Sequence, residues 1–161
     1  MAKTKAAVTA SDPGPTEAAP KVRGAGHSYV TLLGLETFDT AGLRQRIREG
    51  LAYRSWDRFI ENSGLTKEEA NLLVNVASRT LARRKAEGRF HPDESDRLVR
   101  AARVFARAVD LFGGNVLSAR GWLSRPQPAL GGATPLDYAA SELGAREVEN
   151  VIGRLEHGIP T

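Results

Sequence analysis

The 161-residue sequence predicts an all-α fold. From residue 39 onward, apolar side chains recur at intervals of three and four residues, the spacing that gives a helix one buried face. Ser, Thr, Asp or Asn precedes many of these segments, and glycine follows several of them, as at helix starts and ends. Alternation of period two, which is typical of half-buried strands, is scarce. We therefore expect a chain built from helices.

The composition limits the class of protein. Hydrophobic residues make up 41% of the chain and charged residues 26%, which is typical of a soluble protein with a modest core. There is no cysteine, so disulfides and thiolate metal sites are excluded. No apolar run approaches the roughly 20 residues of a membrane span, and no signal-peptide core is present. We therefore expect a cytoplasmic protein without a metal or cofactor. The formal charge of +4 is a mild indication of a polyanionic partner.

Two N-terminal segments differ in character. Residues 1–26 are rich in Ala, Pro, Gly, Lys and Thr and contain almost no large apolar side chains, which predicts a disordered tail. Residues 28–35 (SYVTLLGL) are apolar but short. They fit a strand, a helical turn or a docking segment, and the sequence leaves these three alternatives open.

Two helices are predicted next. Asp39 or Thr40 can cap the first of them. Ser55 can cap the second, whose apolar face includes Trp56 and which Gly64 ends.

The following stretch has the shape of a helix-turn-helix. Thr66 caps a short helix, and Glu69 three residues later completes a capping-box pattern. Asn75 lies at the turn, where its short amide tolerates a left-handed backbone. A second helix begins near Ser78 and ends near Gly88.

The second of these helices is strongly basic. Residues 78–89 contain five basic side chains and one acidic side chain. Leu81 would point into the core, whereas we expect the following residues to face outward: Ser78, Arg79, Arg83, Arg84 and Lys85. Arginines on such a face can bind guanine or clamp phosphates. Helix-turn-helix units often carry a small apolar residue at the position that Asn71 occupies, so this asparagine is evidence against DNA binding. A solvated basic face remains the alternative.

The C-terminal third continues the helical pattern. A long helix is predicted to begin at Pro92 and end at two glycines, and a shorter helix carrying Trp122 follows. After a loop rich in proline and glycine, Thr134 caps the last helix, with Pro135 at its first position. Gly144 is expected to break this helix in two.

No catalytic constellation is present in the sequence. His27, His91 and His157 are scattered without metal-ligand spacing. The Glu-Ser-Asp run at residues 94–96 lies on one helical turn, so its side chains cannot converge on one atom. Acidic residues there complement the helix dipole. We therefore predict a protein that is not an enzyme.

Motifs from residue 79 onward carry a family resemblance. Five of them occur in order: RTLARRKAEGR, ESDRL, WLSRP, LGGATPL and RLEHG. Together, over about residues 40–158, the chain resembles the Xre-type antitoxins of RES–Xre toxin–antitoxin operons. Its second half is similar to the toxin-binding domain shared with MbcA-like and ParS-like antitoxins. Gln127 departs from the family pattern, which often has Asn at this point.

The resemblance implies an antitoxin that neutralises a RES-domain, NAD-degrading toxin by covering its active site, and that represses its own operon. With the disordered tail placed at 1–26 by composition, it implies a helix-turn-helix domain at 27–112 and a toxin-binding domain at 113–161. The DNA-binding residues would be Ser78, Arg79, Thr80, Arg83, Arg84 and Lys85. The toxin-binding residues would be Trp122, Arg154, Glu156, His157, Gly158, Ile159, Pro160 and Thr161.

Two further expectations concern assembly. A single helix-turn-helix makes few contacts, so we expect a homodimer on a palindromic operator. The alternative function is a plain dimeric transcriptional regulator without a toxin partner, in which the C-terminal helices only dimerise or bind a ligand.

Overall fold

The structure is a computed structural model that describes residues 28–36 and 39–161. Within these ranges the chain contains no β-strand, so the all-α prediction is confirmed. The helices, in chain order, are α1 (Ser28–Leu32), α2 (Thr40–Glu49), α3 (Arg54–Ser63), α4 (Lys67–Val74), α5 (Ser78–Glu87), α6 (Pro92–Leu111), α7 (Val116–Leu123), α8 (Pro135–Tyr138) and α9 (Glu142–Glu156). A 3₁₀ turn, Pro128–Leu130, precedes α8. The predicted disordered tail lies outside the described residues.

The long helix α6 lies at the centre of the fold. Helices α1, α2, α3, α4, α7 and α9 pack against it. Its side chains Leu98 and Phe105 are fully buried, and the ring of Phe105 meets that of Phe59 edge-on at 6.1 Å between centroids. One continuous cluster of buried apolar side chains therefore reaches from α1 to α9. None of the helices in the described ranges is long and apolar enough to cross a membrane.

The segment for which three alternatives were open is the short helix α1. Leu32 and Leu33 are buried, and α1 packs against α3 and α6. The side-chain amide of Asn62 donates to the carbonyl of Leu32 at 3.1 Å and approaches that of Thr31 at 3.3 Å. These bonds satisfy carbonyls at the end of α1 that have no partner within the helix.

The predicted start of α3 at a Ser55 cap is wrong. The helix begins two residues earlier, at Arg54 with Tyr53 at the N-cap, and Ser55 is buried in its first turn. Residues 51–53 are held by the chain that follows α5, because Phe90 N–H donates to Leu51 O (2.8 Å) and Tyr53 N–H donates to Gly88 O (2.9 Å). These long-range bonds set where the chain can turn into α3. By contrast, Asp39 caps α2 as predicted, accepting from the backbone N–H of residue 42.

The last predicted helix is divided, but not at Gly144. Thr134 accepts from the backbone N–H of Asp137 (3.3 Å), with Pro135 at the first helical position, as predicted. The division lies between α8 and α9, and Ser141 caps α9. Gly144 lies inside α9, where a Cβ would come within 1.8 Å of the carbonyl oxygen of Tyr138. Glycine at this position therefore permits close contact between α8 and α9.

This contact reverses the usual effect of a glycine-to-alanine change in a helix. Alanine is normally favoured over glycine by about 1 kcal/mol in a helix interior. Gly144→Ala is expected to destabilise the fold by about 1–3 kcal/mol, because the carbonyl of Tyr138 must move. Gly153→Ala, in the same helix with no atoms within 4 Å of the new Cβ, is expected to be neutral or stabilising. Urea unfolding of both variants tests the pair. Equal free energies of unfolding for Gly144→Ala and Gly153→Ala would contradict the assigned role of Gly144.

Candidate functional sites

The predicted helix-turn-helix is formed by α4 and α5. Thr66 accepts from Glu69 N–H at 3.1 Å, and the Glu69 carboxylate accepts from Thr66 N–H at 2.8 Å, which confirms the capping box. Asn75 has φ 56° and ψ 53°, the left-handed conformation predicted for the turn. Val74 and Val76 on either side of it are buried, so the turn is anchored to the core.

Helix α5 has one buried side and one exposed side. Leu81 faces the core and is 8% exposed. At about 100° per residue, the side facing away from it is an arc of about 100°. This arc, which we call the α5 outer face, consists of the exposed residues Arg79, Ala82, Arg83 and Ala86. It carries two arginines and no acidic residue. Its two alanines are small, so a partner molecule can approach the helix backbone closely.

Arg84 does not face outward, so this prediction is wrong. Three residues after Leu81, it lies on the buried side of α5 and is 3% exposed. Its Nε donates to the Glu94 carboxylate at 2.6 Å, its Nη1 donates to Glu87 at 2.6 Å, and its Nη2 lies 3.1 Å from His91 Nδ1. Arg84 therefore joins α5 to the start of α6 and is not available to DNA.

Glu94 and Ser95 have structural roles that the sequence analysis missed. Burial alone would raise the pKa of Glu94, but hydrogen bonds from Arg84 and from His91 N–H outweigh it, and the pKa is lowered. The hydroxyl of Ser95 donates to His91 O and accepts from Leu51 N–H, both at 2.8 Å. The Glu94 contact therefore fixes α5 to the start of α6, and the Ser95 contacts fix the start of α6 to the segment before α3.

The other predicted DNA-binding residues are accessible to different degrees. Ser78, Arg79, Arg83 and Lys85 are exposed, and Thr80 is half-buried. No side chain caps α5, so the backbone N–H groups of its first turn are open. The side-chain amide of Asn71, which the sequence analysis found unusual, donates to the Ser78 hydroxyl at 3.3 Å and so positions it.

The helix-turn-helix is joined to the C-terminal helices by direct polar contacts. The capping carboxylate of Glu69 also accepts from Arg120 (3.1 Å) and Ser124 (3.2 Å), which belong to α7 and its C-cap. The turn residue Asn75 lies with its amide 3.5 Å from the carbonyl of Ala140, between α8 and α9. No local sequence signal indicates these contacts, since the partners are 51 or more residues apart.

Three ion pairs connect α6 to α9. They follow the same order along both helices: Arg100 with Glu142 (3.7 Å), Arg103 with Glu149 (2.7 Å) and Arg107 with Glu156 (3.0 Å). The three glutamates recur every seven residues, which keeps them close to one face of α9. Glu156, predicted to contact a toxin, is therefore engaged with α6 in the free chain.

The C-terminal motif RLEHG forms a helix end. Gly158 has φ 66°, its N–H donates to Leu155 O (3.1 Å), and Ile159 N–H donates to Arg154 O (2.9 Å). This pair of bonds defines a Schellman motif, in which glycine at the left-handed position ends the helix. The motif thus has a local structural function in addition to any role in binding a partner.

Several predicted toxin-binding residues surround a shallow depression of about 750 Å³, which we call the α9 groove. Its lining consists of Arg107, Glu147, Glu149, Asn150, Gly153, Arg154, His157 and Ile159. Gly153 leaves the groove open, because no atom lies within 4 Å of the position of a Cβ. Arg154 is half-exposed and pairs with Glu147 at 3.5 Å, and Ile159 is 51% exposed.

The remaining predicted toxin-binding residues fall into two groups. Trp122 is half-buried and packs against the core, and its backbone carbonyl accepts from the Gln127 amide at 3.1 Å. It therefore holds the proline-rich loop. Pro160 and Thr161 are exposed beyond the end of α9.

The fold and its surfaces define a class of protein: a helix-turn-helix DNA-binding unit fused to a second helical unit. Residues 42–103 match the family model of the antitoxin Xre-like helix-turn-helix domain. Residues 107–158 match the antitoxin Xre/MbcA/ParS C-terminal toxin-binding domain. The two matches meet within α6, so the domain boundary predicted at residues 112–113 stays a prediction.

Proteins named antitoxin Xre from three bacteria are similar to this chain. The Yersinia enterocolitica protein is 44% identical over 128 residues, covering 79% of this chain and 86% of the relative. The Photorhabdus laumondii protein is 39% identical over 114 residues, covering 70% of this chain and 77% of the relative. The Pseudomonas putida protein is 31% identical over 117 residues, covering 72% of each. The chain therefore belongs to the Xre antitoxin family, whose members are antitoxins and not enzymes.

The shared carboxylate of Glu69 predicts a pH-dependent stability. Burial alone would raise its pKa, but the Thr66 backbone hydrogen bond and the charge of Arg120 outweigh it, so the pKa is lowered. A pKa lower in the folded than in the unfolded state gives stability that is present above about pH 4.5 and is lost as the pH falls through the lowered value.

Glu69→Gln tests this linkage. The variant is expected to lower the free energy of unfolding by about 1 kcal/mol at pH 7 and to differ less from the wild type at pH 3. Glu68→Gln makes the same charge change one residue earlier, without these contacts, and is expected to stay within about 0.5 kcal/mol at both values. A loss of stability by Glu69→Gln that is the same at pH 3 and pH 7 would contradict the assigned linkage.

Proposed function

We propose that this antitoxin neutralises a RES-domain toxin that degrades NAD, by placing the C-terminal end of α9 over the toxin's active site. The observation that carries the proposal is the α9 groove, which lies within the region that matches the toxin-binding domain. Arg154, half-exposed at this groove, gives it a guanidinium near the chain terminus. A toxin site that binds the phosphates of NAD presents positive charge, so the carboxylates of Glu147 and Glu149 in the same groove are the groups suited to pair with it, while Arg154 contributes contact area and hydrogen-bond donors.

The same chain represses its own operon through the α5 outer face. Arg79 and Arg83 are one helical turn apart and exposed, so both can reach the same segment of a major groove. Ser78 and the open N–H groups of the first turn of α5 are suited to a phosphate oxygen. Arg84 supports this surface indirectly, because it holds α5 against Glu94.

The repressor acts as a homodimer. Two copies of α5 on a two-fold axis double the contacts and match a palindromic operator whose half-sites lie one helical turn apart. Sedimentation equilibrium of the free chain and of its complex with operator DNA tests this assembly. A monomer that remains a monomer on operator DNA would contradict it.

Co-expression tests the toxin assignment. The chain is expected to co-purify with the product of the neighbouring gene and to keep cellular NAD constant when that product is induced. If the neighbouring protein forms no complex and its induction leaves NAD unchanged, the antitoxin does not act on a RES-type toxin. Operator binding without any toxin partner would instead favour the plain dimeric regulator.

A further inference from the structure

A second basic feature lies on the helix-turn-helix part of the chain, outside α5. A cleft of about 520 Å³ is formed by the connection after α1, the end of α2 and the start of α3. We call it the arginine cleft, because its charged lining consists of Arg46, Arg54, Arg58 and Arg89 with Glu36 and Glu49. The four guanidinium groups exceed the two carboxylates, so the cleft is suited to an anion.

The walls of the cleft are fixed by two close contacts at glycines, one with a backbone carbonyl and one with an arginine stem. A Cβ on Gly50, which has φ 82°, would lie 2.1 Å from the carbonyl oxygen of Phe90. A Cβ on Gly34 would lie 2.7 Å from Cγ of Arg58, so the stem of this arginine rests against the glycine. Arg89 is held in the cleft by a 2.8 Å hydrogen bond from its Nη1 to the carbonyl of Glu49. Arg58 and Arg89 are therefore held in defined positions in the walls of the cleft.

Two of the four arginines, Arg54 and Arg58, remain available to an anion. The side chain of Arg54 makes no hydrogen bond or ion pair with any residue that the structure describes. Arg58 pairs with Glu61 at 3.0 Å, but both side chains are more than half-exposed, so the pair is screened by solvent. An anion that enters the cleft can therefore take hydrogen bonds from both arginines.

The cleft adjoins the C-terminal end of α5. Arg89 follows Gly88, the C-cap of α5, and its backbone forms an antiparallel bridge with Ala52 at the cleft. A helix of 10 residues, such as α5, is about 15 Å long, whereas the major groove of DNA is about 12 Å wide. A helix of this length laid across the groove has one end near each of the two sugar-phosphate strands.

The two ends of α5 then need different chemistry. At its N-terminus, open N–H groups and the positive end of the helix dipole already favour a phosphate. At its C-terminus the dipole is negative and repels a phosphate, so cations must be supplied by other residues. We propose that the arginine cleft binds a backbone phosphate of the operator, on the strand opposite the one that faces Ser78. This proposal rests on the proposed operator binding.

Two measurements on the full chain test this proposal. In the first, the dissociation constants for operator and scrambled duplexes are measured over a range of KCl concentrations. Arg54→Ala is expected to weaken both duplexes several-fold and equally, and to reduce the slope of log K against log salt by about 0.9. Arg44→Ala, which removes the same charge from α2 outside the cleft, is expected to leave the slope unchanged. Equal effects of the two variants would overturn the proposal.

In the second measurement, inorganic phosphate is titrated into the free protein and the backbone amide signals are followed by NMR. Saturable shifts at Gly50 and Ala52 in the wild type and in Arg44→Ala, but not in Arg54→Ala, are expected. Absence of these shifts overturns the cleft as a phosphate site, even if α5 binds DNA. Shifts without any effect of Arg54→Ala on duplex affinity would assign the cleft to a free phosphate compound and refute the operator contact. A wild type that binds no duplex but shows the shifts would refute the operator assignment alone.

Discussion

Replacing both Arg79 and Arg83 with alanine is expected to lower operator affinity by about a hundredfold or more. Each arginine that makes a bidentate contact to guanine contributes about 1–3 kcal/mol of discrimination, and the two residues share one exposed face. The loss should be larger for the operator than for a scrambled duplex, because base contacts carry the specificity. Fluorescence anisotropy with both duplexes measures it.

The fold provides a matched control for this double variant. Arg44 and Arg48 are also four residues apart and exposed, but they lie on α2. Their double alanine variant removes the same charge and is expected to retain most of the operator affinity. Both variants should unfold at the wild-type urea concentration, since surface substitutions change stability little. An Arg79/Arg83 variant that binds the operator as the wild type does would show that the α5 outer face is only a solvated helix surface.

The second large effect is expected at the α9 groove. Gly153→Leu should keep or raise the stability of the free chain, because leucine favours helix over glycine and no atoms lie within 4 Å of the new Cβ. The side chain would occupy the groove, and its clash with a bound toxin should weaken the complex by about thirtyfold or more, the effect of a change at an interface hot spot. Titration calorimetry with the purified toxin measures the affinity.

The matched control is Gly121→Leu. Gly121 lies in α7 of the same C-terminal unit, and it likewise has no atoms within 4 Å of a Cβ. This variant is expected to bind toxin as the wild type does. If the two leucine variants weaken binding equally, the effect is not specific to the groove. If neither does, the toxin contacts another surface.

The features that the sequence predicted correctly depend on neighbouring residues. The Thr66–Glu69 capping box and the Thr134–Pro135 helix start involve positions within three residues of each other. Their hydrogen bonds form within one turn of helix, so spacing alone predicts them. The left-handed turn at Asn75 is local in the same sense.

The features that the sequence did not predict depend on contacts between residues that are distant in the sequence and are brought together only by the fold. Arg84 was expected to face outward with its basic neighbours on α5, but Glu94 on the next helix gives it a buried partner at 2.6 Å. The contacts of Arg120 with Glu69 connect residues 51 positions apart, and nothing local to either residue indicates them.

One missed feature did have a signal in the sequence. Glycine after the last apolar residue of a helix, with basic residues in the last turn, is a common helix end. The Arg154 to Gly158 segment fits this pattern and forms the Schellman motif. The structural role of the motif could therefore have been predicted beside its resemblance to a toxin-binding terminus.

The most direct test of toxin neutralisation by α9 is a titration of purified toxin with the antitoxin while NAD loss is followed. The wild type and the Arg79/Arg83 double variant are expected to stop NAD loss at the same ratio to toxin, whereas Gly153→Leu is expected to require a much higher concentration. This result would place toxin neutralisation at α9 and separate it from DNA binding. Continued NAD loss at saturating wild-type antitoxin, with the complex demonstrably formed, would contradict the claim that this chain covers the toxin's active site.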